Sequence, residues 1–349
     1  FIHEPKYEIQ NTNEKKNKLK HLIYIFEIKG KDFLKTHKQT MKMMNSSMIS
    51  EFVLLGLTNT WELELFFFFI FLLAYAAIMA GNLLIVVTIT LDSHLHSTPM
   101  YFLLGNLSFL DMSVSTITTP KMLADFVREN KTISLWGCMA QMFFLHFLGG
   151  SEMTLLIVMA VDRYFAICKP LHYTTIMNHR ILRGSVLLSW AVGFVHTMSQ
   201  MVFTITLPFC GPNIVDNIFC DLPLVIKLAC TETYVLELLV IADSGLLSFI
   251  SFILLLISYT VILVTIRHQS SGGLSKALST LSAHITAVTL FFGPCIFIYA
   301  WPFSSFSVDK FLSVFYSVIT SLLNPIIYTL RNQEMKAAMN RLRTQHVRS

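Results

Sequence analysis

The stretch that decides the fold is Met159-Ala160-Val161-Asp162-Arg163-Tyr164-Phe165-Ala166-Ile167-Cys168-Lys169-Pro170-Leu171-His172-Tyr173. Within it, Asp162, Arg163 and Tyr164 lie where a long apolar stretch meets a basic segment. An arginine at the edge of the hydrocarbon core of a membrane costs free energy unless it is paired or reaches water. Its presence there therefore indicates that the protein uses it. We interpret that use as signalling across a membrane.

Composition places the chain in a membrane. Of its 349 residues, 54% are hydrophobic and only 13% are charged, which is too apolar for a soluble protein of this length. A bilayer-spanning helix needs about 20 mostly apolar residues. Seven stretches meet that requirement, and they predict an all-α seven-transmembrane helix bundle: 65–91, 99–119, 134–161, 184–208, 238–266, 277–301 and 311–330.

The distribution of charge predicts the orientation. Residues 1–43 contain ten Lys against five Asp and Glu, and they account for the whole net charge of +5. In the remainder, basic side chains concentrate between the third and fourth spans, between the fifth and sixth, and after the seventh. Loops of this kind face the cytoplasm. We therefore expect the N-terminus outside the cell and the C-terminus in the cytoplasm.

The chain divides into four segments. Residues 1–43 are rich in Lys and Asn and begin with Phe, and we expect either disorder or an artefact of the gene model. Residues 44–64 are then an extracellular tail, 65–331 the seven-transmembrane bundle, and 332–349 a cytoplasmic tail with a short amphipathic helix. Asn45 opens an Asn-Ser-Ser sequon on the outward tail and is the predicted glycosylation site.

Four of the six cysteines fall on the side predicted to face outward. They are Cys138 at the start of the third span, and Cys210, Cys220 and Cys230 between the fourth and fifth. Such clustering outside the cell indicates disulfides, but four cysteines allow three pairings and spacing does not choose among them. We expect Cys168 and Cys295 to be free.

Together these features resemble a rhodopsin-like G-protein-coupled receptor and, more narrowly, an odorant receptor. The matching segments are Gly81-Asn82, Leu95-His96, PMYFL at 99–103, LSFLD at 107–111, the run at 159–173, Ser258-Tyr259, KALST at 276–280 with His284, and NPIIY at 324–328. They extend over residues 44–343. The chain departs from the family pattern in the extra residue between His96 and Pro99, in Val161 and in Leu281.

The resemblance implies a disulfide pairing and a switch. Cys138 is expected to pair with Cys220, and Cys210 with Cys230. Arg163, held by Asp162 in the resting state, would turn to meet a G-protein α subunit. The alternative is a boundary arginine that only anchors the helix. The expected coupling and switch residues are Asp162, Arg163, Tyr164, Tyr259, Lys276, His284, Asn324, Pro325 and Tyr328.

The resting lock of this switch must differ from the usual one. Many related receptors pair the arginine with an acid on the sixth span, where this chain has Lys276 and His284. His284 is our candidate, and a hydrogen-bonded interior histidine is the alternative. Pro325 removes a backbone hydrogen bond and bends the seventh span, so that Tyr328 can swing between two positions.

Asp111 and Glu152 lie inside the second and third spans, where lone carboxylates are costly. By resemblance, this region can hold a sodium ion together with Asn82 and Asn324. The alternative is that one carboxyl is protonated and shares its proton. Apart from a sodium ion, no cofactor is expected.

The ligand pocket is expected, by resemblance, between spans three, five, six and seven. His146, Gly149, Gly150 and Met153 share one face of the third span, where the glycines either leave space or allow close helix packing. Asp243 with Ser244 is unusual, because the family more often has Asn there. Asp243 could bind a basic or hydrogen-bonding ligand or pair with His146. Phe292 and Tyr299 complete the predicted pocket.

Other classes of seven-span or membrane protein fit less well. The seventh span has no lysine for retinal, the halves show no repeat typical of a transporter, and the motifs H-E-x-x-H and G-x-S-x-G are absent. Receptors for biogenic amines carry an acid on the third span, where this chain has Leu145. Because the two catalytic motifs are absent, we do not expect an enzyme.

The function expected by resemblance is reception of a small volatile odorant. The receptor would activate a stimulatory, olfactory-type G protein and raise cyclic AMP, in the plasma membrane of olfactory cilia. Its partners would be the odorant, the G protein and the lipid bilayer, with no nucleic acid. A chemosensory receptor for a non-odorant small molecule outside the nose is the alternative.

Overall fold

The structure is a computed structural model, and it describes residues 49–58, 60–210, 212–267, 274–300, 309–330 and 333–348. The expected extension at 1–43 and the predicted glycosylation site Asn45 lie outside these residues. Most of the described chain is helical, and three short strands pair at one end of the helices.

The main helices are named α1 to α8 in chain order. They are α1 (Trp61–Leu91), α2 (Pro99–Phe126), α3 (Leu135–Cys168), α4 (His179–Thr204), α5 (residues 234–267), α6 (Leu274–Ala300), α7 (residues 309–330) and α8 (Gln333–Arg348). Two of them contain π-helical turns, Ile241–Leu246 in α5 and Phe315–Ile319 in α7. Short helices occur at Ser93–His96, Pro170–His172, Tyr173–Ile176 and Leu222–Ile226.

Five stretches of these helices are long and apolar enough to cross a membrane. They are Trp61–Leu91, Leu135–Cys168, His179–Thr204, Tyr234–Thr265 and Lys310–Ile327. A further apolar stretch in α6, His284–Tyr299, is shorter. Helix α2 has the length of a span, but its hydroxyl, amide and carboxyl side chains make it less apolar, and it lies outside this set.

Large apolar side chains cover the outside of the helices. Leu73 is 70% exposed, Leu187 69% and Val195 68%. In contrast, Asn82 and Asp111 are completely buried. In water, so much exposed apolar surface would be unfavourable, whereas lipid tails are as apolar as leucine. The outer surface is therefore suited to lipid.

A side-chain cap moves the start of α4 away from the position that hydropathy suggests. Asn178 Oδ1 accepts hydrogen bonds from the backbone N–H groups of Arg180 at 3.1 Å and Ile181 at 3.0 Å. Such a cap satisfies donors that have no partner within the helix. The helix therefore begins five residues before the predicted span, within a basic turn, and it ends at Thr204 instead of 208.

Helices α3 and α4 pack closely where two glycines meet. A Cβ atom on Gly150 would lie 3.1 Å from the Cα atom of Gly193. A Cβ atom on Gly193 would lie 2.5 Å from the carbonyl oxygen of Phe147 and 2.7 Å from the backbone nitrogen of Ser151. Since small residues allow two backbones to approach, this pair sets the spacing of the two helices.

Three strands and two disulfides gather at one end of the helices, which we name the disulfide end. The central strand β1 (Glu51–Leu54) pairs antiparallel with β2 (Thr132–Ser134) and parallel with β3 (Ile214–Val215). Disulfides join Cys138 to Cys220 and Cys210 to Cys230, as the resemblance implies, while Cys168 and Cys295 are free. The segment before α1 is thus held against the loop between α4 and α5.

Helix α8 lies at the opposite end, which contains Asp162 and Arg163 and is named the arginine end. Arg341 Nη2 donates to Asp92 Oδ2 at 2.6 Å, and Tyr101 Oη donates to Glu334 Oε2 at 3.0 Å. The hydrogen bond from Arg341 lowers the pKa of Asp92, although burial acts in the opposite direction. Asp92 is therefore ionised at neutral pH, and the contact links α8 to the turn after α1.

Replacing Gly193 with Ala is expected to destabilise the protein. The new methyl group would collide with the α3 backbone at Phe147 and Ser151, and overpacking of this kind costs about 1–3 kcal/mol. We expect weaker surface staining in transfected cells and a lower Tm of the detergent-solubilised protein. Gly184→Ala on the same helix is the matched control, because no heavy atom of the described residues outside the neighbouring helix backbone lies within 4 Å of its Cβ position. Equal stability of the two variants would contradict this packing.

Candidate functional site

Asp162 and Arg163 form a pair near the end of α3. Arg163 Nη2 donates to Asp162 Oδ2, and the Asp162 side chain is 1% exposed. From the short helix Tyr173–Ile176, Tyr173 Oη donates to Asp162 Oδ1 at 2.8 Å. Burial, and then the charge of Asp162, raise the pKa of Tyr173, so its hydroxyl stays protonated and remains a donor. Both oxygens of the carboxylate are thus engaged, and the guanidinium is held beside it.

A second contact near the arginine end joins α5 to α6. Tyr259 Oη and His284 Nδ1 are 3.0 Å apart, and both side chains are buried. When the tyrosine donates, His284 carries its proton on Nε2, which has no hydrogen-bond partner among the described residues. Tyr164 lies on α3 and is partly buried. Lys276 and Tyr328 lie on α6 and α7, but their side chains are outside the described part of the structure.

A buried polar set joins α1, α2, α3 and α7 midway along the helices. Asn324 Nδ2 donates to both carboxylate oxygens of Asp111, at 3.1 and 3.0 Å, and Asn82 Nδ2 donates to the carbonyl of Ser321 at 3.2 Å. Glu152 is close enough to Asp111 for an electrostatic interaction. Among the described residues, Glu152 Oε1 and the Oδ1 atoms of both asparagines have no partner.

These unpaired oxygens can coordinate a cation, or the two carboxyl groups can share a proton. Hard cations prefer carboxylate and amide oxygens, and two nearby carboxyl groups tend to retain a proton. Within the described residues, no group of three or more His, Cys, Asp and Glu side chains could hold a metal ion. A sodium ion bound to Asp111 and Glu152 would therefore also need amide or hydroxyl oxygens.

Close contact between α1 and α7 brings this set together. A Cβ atom on Gly81 would lie 3.1 Å from Pro325 Cβ. Gly81 thus leaves room for the proline, which lies inside α7 and removes a backbone hydrogen bond there. The Gly-Asn and Asn-Pro motifs of the sequence therefore meet in space.

Polar side chains from α3, α4 and α5 gather near the disulfide end. We name this set the polar cluster, and it consists of His146, His196, Ser199, Gln200, Asp243 and Ser244. Asp243 Oδ2 accepts from Ser199 Oγ at 2.5 Å and from Gln200 Nε2 at 3.2 Å. His196 Nδ1 lies 3.3 Å from the same oxygen, within ion-pair distance but poorly aligned for a hydrogen bond. Asp243 thus pairs with α4, whereas the sequence suggested His146 as its protein partner.

His146 faces α6 instead. Its ring centroid lies 5.6 Å from that of Tyr299 and 6.2 Å from that of His196. Tyr299 Oη donates to Asp221 Oδ1 at 3.2 Å, which connects α6 to the loop between α4 and α5. One turn from His146, among the described residues and apart from the neighbouring backbone of α3 itself, no heavy atom lies within 4 Å of the position that a Cβ atom on Gly149 would take, so space remains there.

The other predicted pocket residues lie in packed surroundings. Phe292 is completely buried, with its ring centroid 6.1 Å from that of Phe252 on α5. Met153 is buried, and its sulfur accepts from Ser248 Oγ at 3.8 Å. The residues predicted to line the ligand pocket therefore have three kinds of surroundings. Some make polar contacts between α4 and α5, one makes an aromatic contact with α6, and the others take part in apolar packing between α3, α5 and α6.

Sequence reasoning missed several residues of these contacts. The missed partners are Tyr173, Ser199, Gln200 and Asp221, together with the role of His196. A signal existed on α4, where His196, Ser199 and Gln200 recur at three- and four-residue steps on one face of an apolar helix. No comparable signal marked Asp221 or Tyr173, because each lies in a connection whose path the sequence does not define.

Comparison with known proteins identifies the family. The family model described as olfactory receptor matches residues 71–346. The chain is 66% identical to olfactory receptor 4L1 of Homo sapiens over 309 residues, which are 88% of this chain and 99% of that protein. It is 64% identical to human olfactory receptor 4K13 over 301 residues, which are 86% of this chain and 99% of that protein. The chain therefore belongs to the olfactory receptor family, whose members are G-protein-coupled membrane receptors and not enzymes.

Proposed function

We propose that this receptor spans the membrane seven times, with its N-terminus outside the cell and its C-terminus in the cytoplasm. The five long apolar stretches support this topology, and α2 and the apolar part of α6 supply the two further spans. The basic residues at the arginine end support a cytoplasmic location for that end. The disulfide end then faces outward, where disulfides persist.

Its proposed function is to bind a small volatile odorant and to activate a stimulatory, olfactory-type G protein that raises cyclic AMP. Olfactory cilia are the proposed location. The observation that carries the coupling proposal is the Asp162–Arg163 pair with Tyr173. A permanently charged guanidinium held by one acid is a group that a small movement of the helices can release toward a partner.

The proposed odorant site lies between α3, α5, α6 and α7 near the disulfide end. Its residues are His146, Gly149, Gly150, Met153, Asp243, Ser244, Phe292 and Tyr299. A few polar groups within an apolar and aromatic surrounding are typical of sites for small molecules. The space beside Gly149 and the neighbouring His146 support this location.

Arg163→Ala is expected to abolish the cyclic AMP response to any agonist while surface staining persists. The substitution removes the group proposed to meet the G protein, so agonist-evoked cyclic AMP should fall at least about tenfold. Arg183→Ala is the matched control, because Arg183 is exposed on α4 at the same end. A response of Arg163→Ala equal to that of the control would refute the coupling role.

The contact between Tyr259 and His284 is proposed to stabilise the resting state. Tyr259→Phe removes only the hydroxyl, and a hydrogen bond contributes about 1 kcal/mol. We therefore expect basal cyclic AMP without ligand to rise roughly fivefold at equal surface staining. Tyr75→Phe is the control, because that hydroxyl makes only a 3.4 Å contact with Thr116 outside the switch. Unchanged or lower basal signalling in Tyr259→Phe would exclude a resting lock.

We also propose that Asp111 and Glu152 hold a sodium ion in the resting state, supported by the free oxygens around them. In membranes, replacing sodium with a bulky organic cation should then raise basal G-protein activation in the unmodified receptor. Glu152→Gln should remove that sodium dependence, because it removes one of the two charges that attract the ion. If both proteins respond identically to sodium, the carboxyl groups share a proton instead.

A further inference from the structure

We propose that the polar cluster makes this receptor selective for protonated aliphatic amines, and that Asp243 supplies the negative charge that recognises them. The inference rests on the proposed odorant function and names the ligand class of that site. Its basis is the number of unused acceptors in the cluster, the charge of the cluster, and the open position at Gly149, one turn from His146.

The polar cluster holds more hydrogen-bond acceptors than its own donors satisfy. All three contacts of Asp243 fall on Oδ2, and Oδ1 has no hydrogen-bond partner among the described residues. Gln200 Oε1 and His146 Nε2 are also without a partner there, and Gln200 is completely buried. The acceptors of Gln200 and His146 are buried, and buried acceptors without a donor are unfavourable, so this set is suited to a ligand that brings donors.

An ammonium group can donate hydrogen bonds to these acceptors. It has three N–H donors and no acceptor, whereas an alcohol brings one donor and a carboxylate brings none. His146 can accept at Nε2 when its ring is neutral and carries its proton on Nδ1. The Asp243 side chain is 25% exposed, so part of it is open to a ligand.

The charge of the cluster also favours a cation. Among the described residues, the only ionisable group within ion-pair distance of Asp243 is His196, and neither Lys nor Arg takes part. A second acid, Asp221, contacts Tyr299, which in turn contacts the His146 ring. A carboxylate ligand would therefore bring like charges together, whereas an ammonium ion would meet a complementary charge.

Local geometry supports a site at this position. Asp243 lies in the π-helical turn Ile241–Leu246, and such turns occur frequently at functional sites because they change the direction of side chains. The open position beside Gly149 is one turn from His146 on α3. Within the polar cluster the carboxylate is that of Asp243, so the negative charge would come from α5.

The inference is tested with three ligands of one carbon chain, hexylamine, 1-hexanol and hexanoic acid, on receptor-expressing cells at pH 7. The amine is then a cation and the acid an anion. We expect the EC50 of hexylamine for cyclic AMP to be at least about tenfold lower than that of hexanoic acid. In Asp243→Asn, which keeps the shape of the side chain, the EC50 of hexylamine should rise at least about tenfold and that of hexanol should change less than about threefold.

Glu237→Gln is the matched control, because Glu237 is another acid on α5, whose Oε1 accepts from Thr233 at 2.6 Å outside the polar cluster. Its EC50 values should equal those of the unmodified receptor. The amine inference is overturned if hexanoic acid is as potent as hexylamine, if Asp243→Asn leaves hexylamine potency unchanged, or if the receptor responds to other volatiles but not to hexylamine. A surface-stained receptor that responds to no member of a broad volatile panel would overturn the proposed function as well.

Discussion

A polar or charged side chain inside an apolar helix bundle has to find a partner, and the arrangement of this receptor follows from that constraint. Water is not available to satisfy such groups, so each unpaired one costs free energy. Asp162 is satisfied by Arg163 and Tyr173, and Asp111 by Asn324. These contacts connect distant parts of the chain, and they determine which helix faces meet.

Close contact between the backbones of neighbouring helices is the second feature that determines the architecture. Gly150 meets Gly193 between α3 and α4, and Gly81 leaves room for Pro325 between α1 and α7. Lipid supplies little hydrophobic force between helices, so van der Waals packing at such small residues is important. At the disulfide end, β1 and the two disulfides tie the loops together, which holds Asp221 against Tyr299.

Buried polar atoms that lack a hydrogen-bond partner are as informative as those that have one. In native proteins most buried polar atoms have partners, so the exceptions need an explanation. Among the described residues, one group of exceptions lies around Glu152 and another around His146 and Gln200, and Thr197 Oγ1 and Tyr316 Oη are also without a hydrogen-bond partner. The two groups lie at the levels of the proposed sodium site and the proposed amine site, where a ligand or ion would supply the missing partner. His284 Nε2, near the arginine end, is a further exception, beside the proposed resting lock.

The sequence by itself determined that this is a helical membrane protein, since apolar length and local composition depend only on neighbouring residues along the chain. Its motifs also identified the receptor family, which the relatives confirm. Helix ends were less accurate, because caps such as Asn178 act against the hydropathy pattern. Only the tertiary structure decided that Asp243 contacts α4 and not His146, and that Gly150 and Gly149 have different surroundings. Periodicity defines which residues share a helix face, but it does not define how each helix is rotated against its neighbours, and these contacts depend on that rotation.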